Sequence, residues 1–243
     1  MTSTDYQEII KNLNLLADKE RADRSKTFFK TNKGGYAEND QFIGISVPSQ
    51  RKLAKRFREL GLVELGRLID SPIHEYRMTG LLILIEKYHT KSVSDQLQQD
   101  YIDFYLLRID QVNNWDLVDN SCYKLLGDYL WRRQDLELLY HYANLEPIRE
   151  NLWKNRIAIV TTLAFIRHRE LEPTFELSRI LISHPEDLIQ KAVGWMLRES
   201  GKFDQERLEI FLNQYAGRMP RTMLRYAIER FNPDKRKFYL SLY

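Results

Sequence analysis

The chain has 243 residues, 43% of them apolar, and its 37 Lys and Arg against 34 Asp and Glu leave a net charge of only +3. That length allows one or two domains with a substantial core, and the scarcity of Gly and Pro (10 and 7) fits a globular, largely helical protein. A single cysteine, Cys122, excludes a disulfide framework, the five histidines lack metal-ligand pairing, and no apolar run approaches ~18 residues, so a soluble, cytoplasmic protein with no metal, cofactor or membrane partner is expected.

In chain order, helical periodicity predicts a helix over 5–16 and a second running through Phe28 and Phe29. Residues 31–45 carry no helical pattern. Gly34-Gly35 marks a turn there, Tyr36 is expected to be exposed, and Phe42 and Ile43 suggest that the end packs down. Pro48 suits a first helical turn and opens a helix to 60, followed by a short one over 63–69. Further helices are predicted over 74–88, 93–108, 115–131, 135–143, 150–167, 172–181, 186–199, 204–215 and 220–231. Alternating β-branched runs and hairpin turns are nearly absent, so the fold class is all-α.

Short loops join these helices in pairs, and a loose pattern recurs in every second one. Tyr76-Arg77-Met78-Thr79-Gly80-Leu81, Asn155-Arg156-Ile157-Ala158-Ile159, Gln190-Lys191-Ala192-Val193-Gly194 and Leu224-Arg225-Tyr226-Ala227-Ile228 each set a basic residue before small and aliphatic ones, which lets the next helix pack close. Arg77, Asp119, Arg156 and Lys191 follow one another at 42, 37 and 35 residues. A two-helix period of this size is the signature of a curved α-solenoid of HEAT-like antiparallel helix pairs. A single domain over 1–243 is expected, with those four residues in a row along one concave surface.

Asp119 is the residue that stands out. At roughly 100° per residue, Trp115, Val118, Cys122, Leu125, Leu126 and Tyr129 gather on one side of their helix, while Asp116, Asn120, Lys124 and Asp128 point the other way. Asp119 falls among the apolar set, one turn from Trp115. A carboxylate there is either bonded to a neighbouring helix or an Arg, or it has a chemical task. Lys191, Trp195 and Arg198 share a face at i, i+4 and i+7, apart from the apolar face of Leu188, Ile189, Ala192 and Met196. They form either an aromatic platform in a cation stripe suited to nucleic acid, or a Trp packed on the next repeat with its cations reaching past it. Arg218, Arg221, Arg225 and Arg230 make one basic cluster and Arg51, Lys52, Lys55, Arg56 and Arg58 another, as a local anionic partner or a solvated surface would require.

Asn114-Trp115-Asp116-Leu117-Val118-Asp119, Trp153-Lys154-Asn155-Arg156-Ile157-Ala158 and, above all, Ile189-Gln190-Lys191-Ala192-Val193-Gly194-Trp195-Met196-Leu197-Arg198-Glu199 resemble the signature segments of the bacterial AlkD-type DNA alkylation repair glycosylases. The resemblance runs from the first helices to about Phe231. It implies HEAT-like repeats gripping duplex DNA in a concave groove, hydrolytic release of N3- or N7-alkylated purines, and a cytoplasmic, nucleoid-associated setting. It also implies a role for individual residues. Asp119 matches the catalytic carboxylate, Trp115 and Trp195 the aromatics that flank the lesion's backbone and sugar, and Arg156 the arginine beside them. Arg77, Lys191, Arg198, Arg221, Arg225 and, in the 31–45 loop, Tyr36 are the expected DNA contacts, and a monomer is expected. Relatives without the Asp are thought to bind DNA without excising bases. A non-catalytic helical-repeat protein for damaged or branched DNA, with Asp119 paired to Arg156, is therefore the alternative; a protein-interaction scaffold is a third.

Overall fold

The computed structural model describes residues 3–242. Helices supply the regular structure, and the β-type pairing among the described residues is an isolated bridge between Gln41 and Ile73. The chain divides into two compact units, one ending at Ser121 and the other beginning at Cys122.

The first unit contains α1 (Ser3–Leu15), α2 (Lys19–Phe28), α3 (Val47–Arg56), α4 (Leu62–Ile69), α5 (His74–Tyr88), α6 (Asp95–Leu107) and α7 (Trp115–Ser121). Side chains satisfy the free N–H groups at several helix starts: Asp18 accepts from Arg21, Ser46 from Ser49 and Ser94 from Leu97. Helix α5 is the core of this unit. It is buried almost throughout its length and packs against α3, α4 and α7. The expected close approach is real at Gly80, where a Cβ would stand 2.7 Å from Ile69 Cγ1.

The 31–45 segment is irregular, as expected, and it is firmly held. The buried Glu75 carboxylate accepts the backbone N–H groups of Ile43, Gly44 and Ile45, at 3.1, 2.7 and 3.3 Å. Gly44 turns there at φ +82°, and a Cβ would stand 2.0 Å from the Asp18 carbonyl, so only glycine fits. Phe42 and Ile45 are buried beneath the turn.

The second unit contains α8 (Asp128–Arg133), α9 (Glu137–Ala143), α10 (Leu152–Thr161), α11 (Leu163–Arg167), α12 (Glu172–Ile180), α13 (Asp187–Gly201), α14 (Gln205–Tyr215), α15 (Arg221–Ala227) and α16 (Pro233–Ser241). It shows the stacking of a helix-pair repeat. Helix α9 packs on α10, α12 on α13, and the second members stack in turn, α10 on α13 and α13 on α15. Gly194 permits the last contact, since a Cβ there would lie 2.4 Å from the Met223 carbonyl.

Two predicted helices are interrupted, and one helix appears that was not predicted. The one expected over 115–131 contains a π turn at Tyr123–Gly127, closed by the Gly127 N–H on the Cys122 carbonyl at 2.9 Å. A Cβ at Gly127 would stand 2.8 Å from both Ala164 Cβ and the Thr161 carbonyl, so this turn is closely packed. The helix expected over 150–167 breaks where the Thr162 hydroxyl bonds back to the Ile159 carbonyl, at 2.7 Å. Helix α16 was not foreseen, although Asn232 caps the Lys235 N–H and Pro233 occupies its first turn.

Glu75 gives this fold a sharp test. Glu75→Ala would strand three N–H groups in or near the core and lower unfolding free energy by about 3 kcal/mol in urea titration. Glu75→Gln, which keeps one acceptor oxygen, is expected to cost less.

Candidate functional site

The first turn of α7 carries Trp115 and Asp116, and the next brings Asp119 one turn beyond Trp115. Leu117, Val118 and Ser121 are buried and set the inward face. Asp119 and Trp115 are each half-buried, on the more open side of the helix together with Asn120. This reverses the sequence reading of the two acids. Asp116, expected to face outward, is buried at 7% exposure, whereas Asp119, expected among the apolar set, keeps access to solvent. Helical phase alone could not foresee it, because Asp116 is covered by residues remote in sequence.

The cover is an ionic cluster. His74, at the start of α5, is 3% exposed; its Nδ1 lies 3.1 Å from Asp40 Oδ2 and its Nε2 2.9 Å from Asp116 Oδ2. Asp40 also accepts from Arg77 Nη2 and, at 3.0 Å, from Asn114 Nδ2. Burial by itself would pull the His74 pKa down. The Asp116 charge and the hydrogen bonds to both carboxylates outweigh it and raise the pKa to about 9, so His74 is an imidazolium that donates from both nitrogens. Burial pushes Asp40 upward, but the His74 hydrogen bond and the Arg77 charge prevail and hold its pKa below the usual carboxylate value.

An aromatic stack joins this cluster to Trp115. Phe42 lies on His74 with centroids 4.7 Å apart, Phe29 on Phe42 at 5.0 Å, and Trp115 on Phe29 at 5.3 Å with an interplanar angle of 20°. Phe28, largely exposed, meets Trp115 edge-on at 5.8 Å. The indole Nε1–H donates to the Tyr36 hydroxyl at 3.2 Å. Tyr36 is thus half-buried rather than exposed as expected. On the other flank, the exposed Arg51 donates to Asn120 Oδ1 at 2.8 Å, bringing a cation from the first basic cluster to the residue beside Asp119.

Arg77 differs from its expected place on a DNA-facing surface. It is 2% exposed, and its guanidinium is engaged by Asp40 and by the Ser71 carbonyl at 2.9 Å. In the second unit Arg156 is also buried and donates to the Leu188 carbonyl. In both helices the recurring basic residue therefore donates to a backbone carbonyl, before the start of α5 in one case and in the first turn of α13 in the other. Lys191, Trp195 and Arg198 do share a half-buried face of α13, above the buried Ile189, Ala192, Val193 and Met196. Lys191 pairs with Asp187 at 2.6 Å and Arg198 with Glu229. Arg221 and Arg225 are exposed on α15, with Arg218 exposed just before it. Among the described residues, no group of three or more His, Cys, Asp or Glu could hold a metal ion, and no helix is long and apolar enough to cross a membrane.

Residues 9–231 match the family model described as DNA alkylation repair enzyme. The chain belongs to that family. Its fold is similar to a solved structure described as a predicted DNA alkylation repair enzyme from Enterococcus faecalis, with a TM-score of 0.68 at 17% identity over 89% of this chain and 97% of that one. A search of curated proteins finds no match. Membership places the chain in DNA alkylation repair and makes DNA the macromolecule it works on.

In this repair protein, the residues that periodicity missed are His74, Asp40 and the phenylalanines behind Trp115. The available signal was the packed-down end of the 31–45 segment; what lay beneath it needed the fold. The cluster has a definite pH signature. His74 rises from 6.5 to about 9 on folding, so its stabilising contribution is complete below pH 6.5 and disappears as pH climbs through about 9. Asp40, lowered from 3.8, contributes above that value and loses its effect as pH falls through its depressed pKa. Urea midpoints from pH 6 to 10 should fall more steeply for the native chain than for His74→Gln. Parallel curves would show that His74 does not carry the charge.

Proposed function

We propose that the protein is a DNA glycosylase that hydrolyses the N-glycosidic bond of positively charged N3- or N7-alkylated purines in duplex DNA. The observation that carries this reading is the pairing on α7 of an accessible carboxylate, Asp119, with an indole one turn away, in a chain of the alkylation repair family. Of the two acids on that helix, Asp116 is buried against His74, whereas Asp119 keeps access to solvent.

The chemistry asks little of the protein. An alkylated purine already carries positive charge, so it leaves as a neutral base without a proton donor. As the C1′–N bond breaks, the deoxyribose develops oxocarbenium character, which a carboxylate stabilises electrostatically and an aromatic face by cation–π attraction. Water adds to C1′, and the proton it sheds passes to Asp119. Trp115 is the proposed ring on the first unit. In the second unit, considered by itself, the half-buried Trp195 is proposed as an aromatic contact to the DNA backbone, and Arg156, being buried, is proposed to act through the backbone it holds at Leu188. The exposed Arg221 and Arg225, together with Lys191 and Arg198, which also pair with Asp187 and Glu229, are proposed phosphate contacts.

Base release from duplex DNA containing 7-methylguanine tests the reading. Asp119→Asn should slow release by about 100-fold or more, as loss of an electrostatic stabiliser does, while DNA affinity changes little. Affinity itself should fall steeply with salt, since phosphate neutralisation releases counterions. An Asn variant that excises at the native rate would remove Asp119 from the mechanism.

A further inference from the structure

An indole on the open side of a first helical turn has several staggered orientations available. A ring that must present one face to a short-lived cation cannot be left to sample them, because loss of orientation is loss of rate. In this chain the choice is made by a segment remote in sequence. The 31–45 segment is anchored at both ends of its descent. Asp40 is gripped by His74, Arg77 and Asn114; Gln41 exchanges backbone bonds with Pro72 and His74, at 3.1 and 2.8 Å; and Glu75 takes the three N–H groups that follow. Ala37, next to Tyr36, is buried, and the Asp40 N–H closes a turn onto its carbonyl at 2.9 Å.

Tyr36 is therefore presented from a fixed base. An indole has a single N–H to give, and here it goes to the Tyr36 hydroxyl, while Phe29 covers one ring face. Face and edge together specify the ring plane.

We propose that Tyr36 is a positioning residue whose hydroxyl, held in place by the strapped-down 31–45 segment, locks the Trp115 indole in the orientation used beside Asp119. The purpose given to that orientation rests on the glycosylase reading; the lock itself does not. It assigns Tyr36 to the enzyme's own tryptophan rather than to DNA directly. It also explains why a long irregular segment is tied down by two buried carboxylates, Glu75 and Asp40.

Tyr36→Phe removes the hydroxyl and keeps the ring, so folding should be preserved. In protein labelled with 5-fluorotryptophan, with the Trp115 signal assigned through Trp115→Phe, the variant should shift and broaden that fluorine resonance in the absence of DNA. Single-turnover base release should slow by about tenfold with DNA affinity unchanged within about twofold, since misorientation costs rate rather than binding. An unchanged resonance overturns the proposal, and so does a shifted resonance with native rate. Weakened DNA binding at native rate would instead make Tyr36 a DNA contact and overturn it as well. Native protein that releases no base would sink the glycosylase reading and the catalytic purpose of the lock; the DNA-free fluorine signal separates that failure from a failure of positioning.

Discussion

Between Asp40 and Asp116 the His74 ring is cut off from water, so its charge is sustained by those two carboxylates and theirs by it. One acid comes from the 31–45 segment and the other from the first turn of α7, while the imidazolium heads α5. Removing any one member would leave like charges or an unpaired ion in the interior, which costs several kcal/mol. The three pieces of chain consequently have one stable arrangement. The orientation of α7, and with it the placement of Trp115 and Asp119, follows from that arrangement rather than from helix propensity.

The same constraint separates two acids whose places helical phase assigns the other way round. Asp116 serves structure because His74 reaches it; Asp119, three residues on, is half-buried and keeps access to solvent. Trp115, one turn before Asp119, has its ring backed by Phe29 and edged by Phe28. The aromatic stack continues through Phe42 to the imidazolium itself, so packing and charge reinforce a single geometry.

In the second unit, glycines and buried polar groups do the corresponding work. Gly194 lets α13 approach α15, and Asn155 spans from α10 to the Tyr142 carbonyl at 2.8 Å. His184 accepts the Glu186 N–H on Nδ1, so its Nε2 carries the proton and points at Asn155 Oδ1. Burial lowers the pKa of this histidine, the opposite of His74, and its ring nitrogens face a backbone N–H and an amide oxygen where those of His74 face carboxylates. Two buried histidines thus take opposite charge states for a reason visible in their neighbours.

Much was legible in the residues themselves. Helical periodicity, the helix-pair repeat, Pro48 at a helix start and the close-packed glycines are local properties, and local sterics decide them; α5 begins and ends where its periodicity does. The α7 motif and the α13 face of Lys191, Trp195 and Arg198 were legible for the same reason, since residues one turn apart must share a face. What sequence could not decide was which charged groups would be spent internally. Arg77 looked like a surface cation and Asp116 like a surface acid, yet both are buried by partners 37 and 42 positions away. Desolvation and pairing depend on distance in space, which only the assembled tertiary structure specifies.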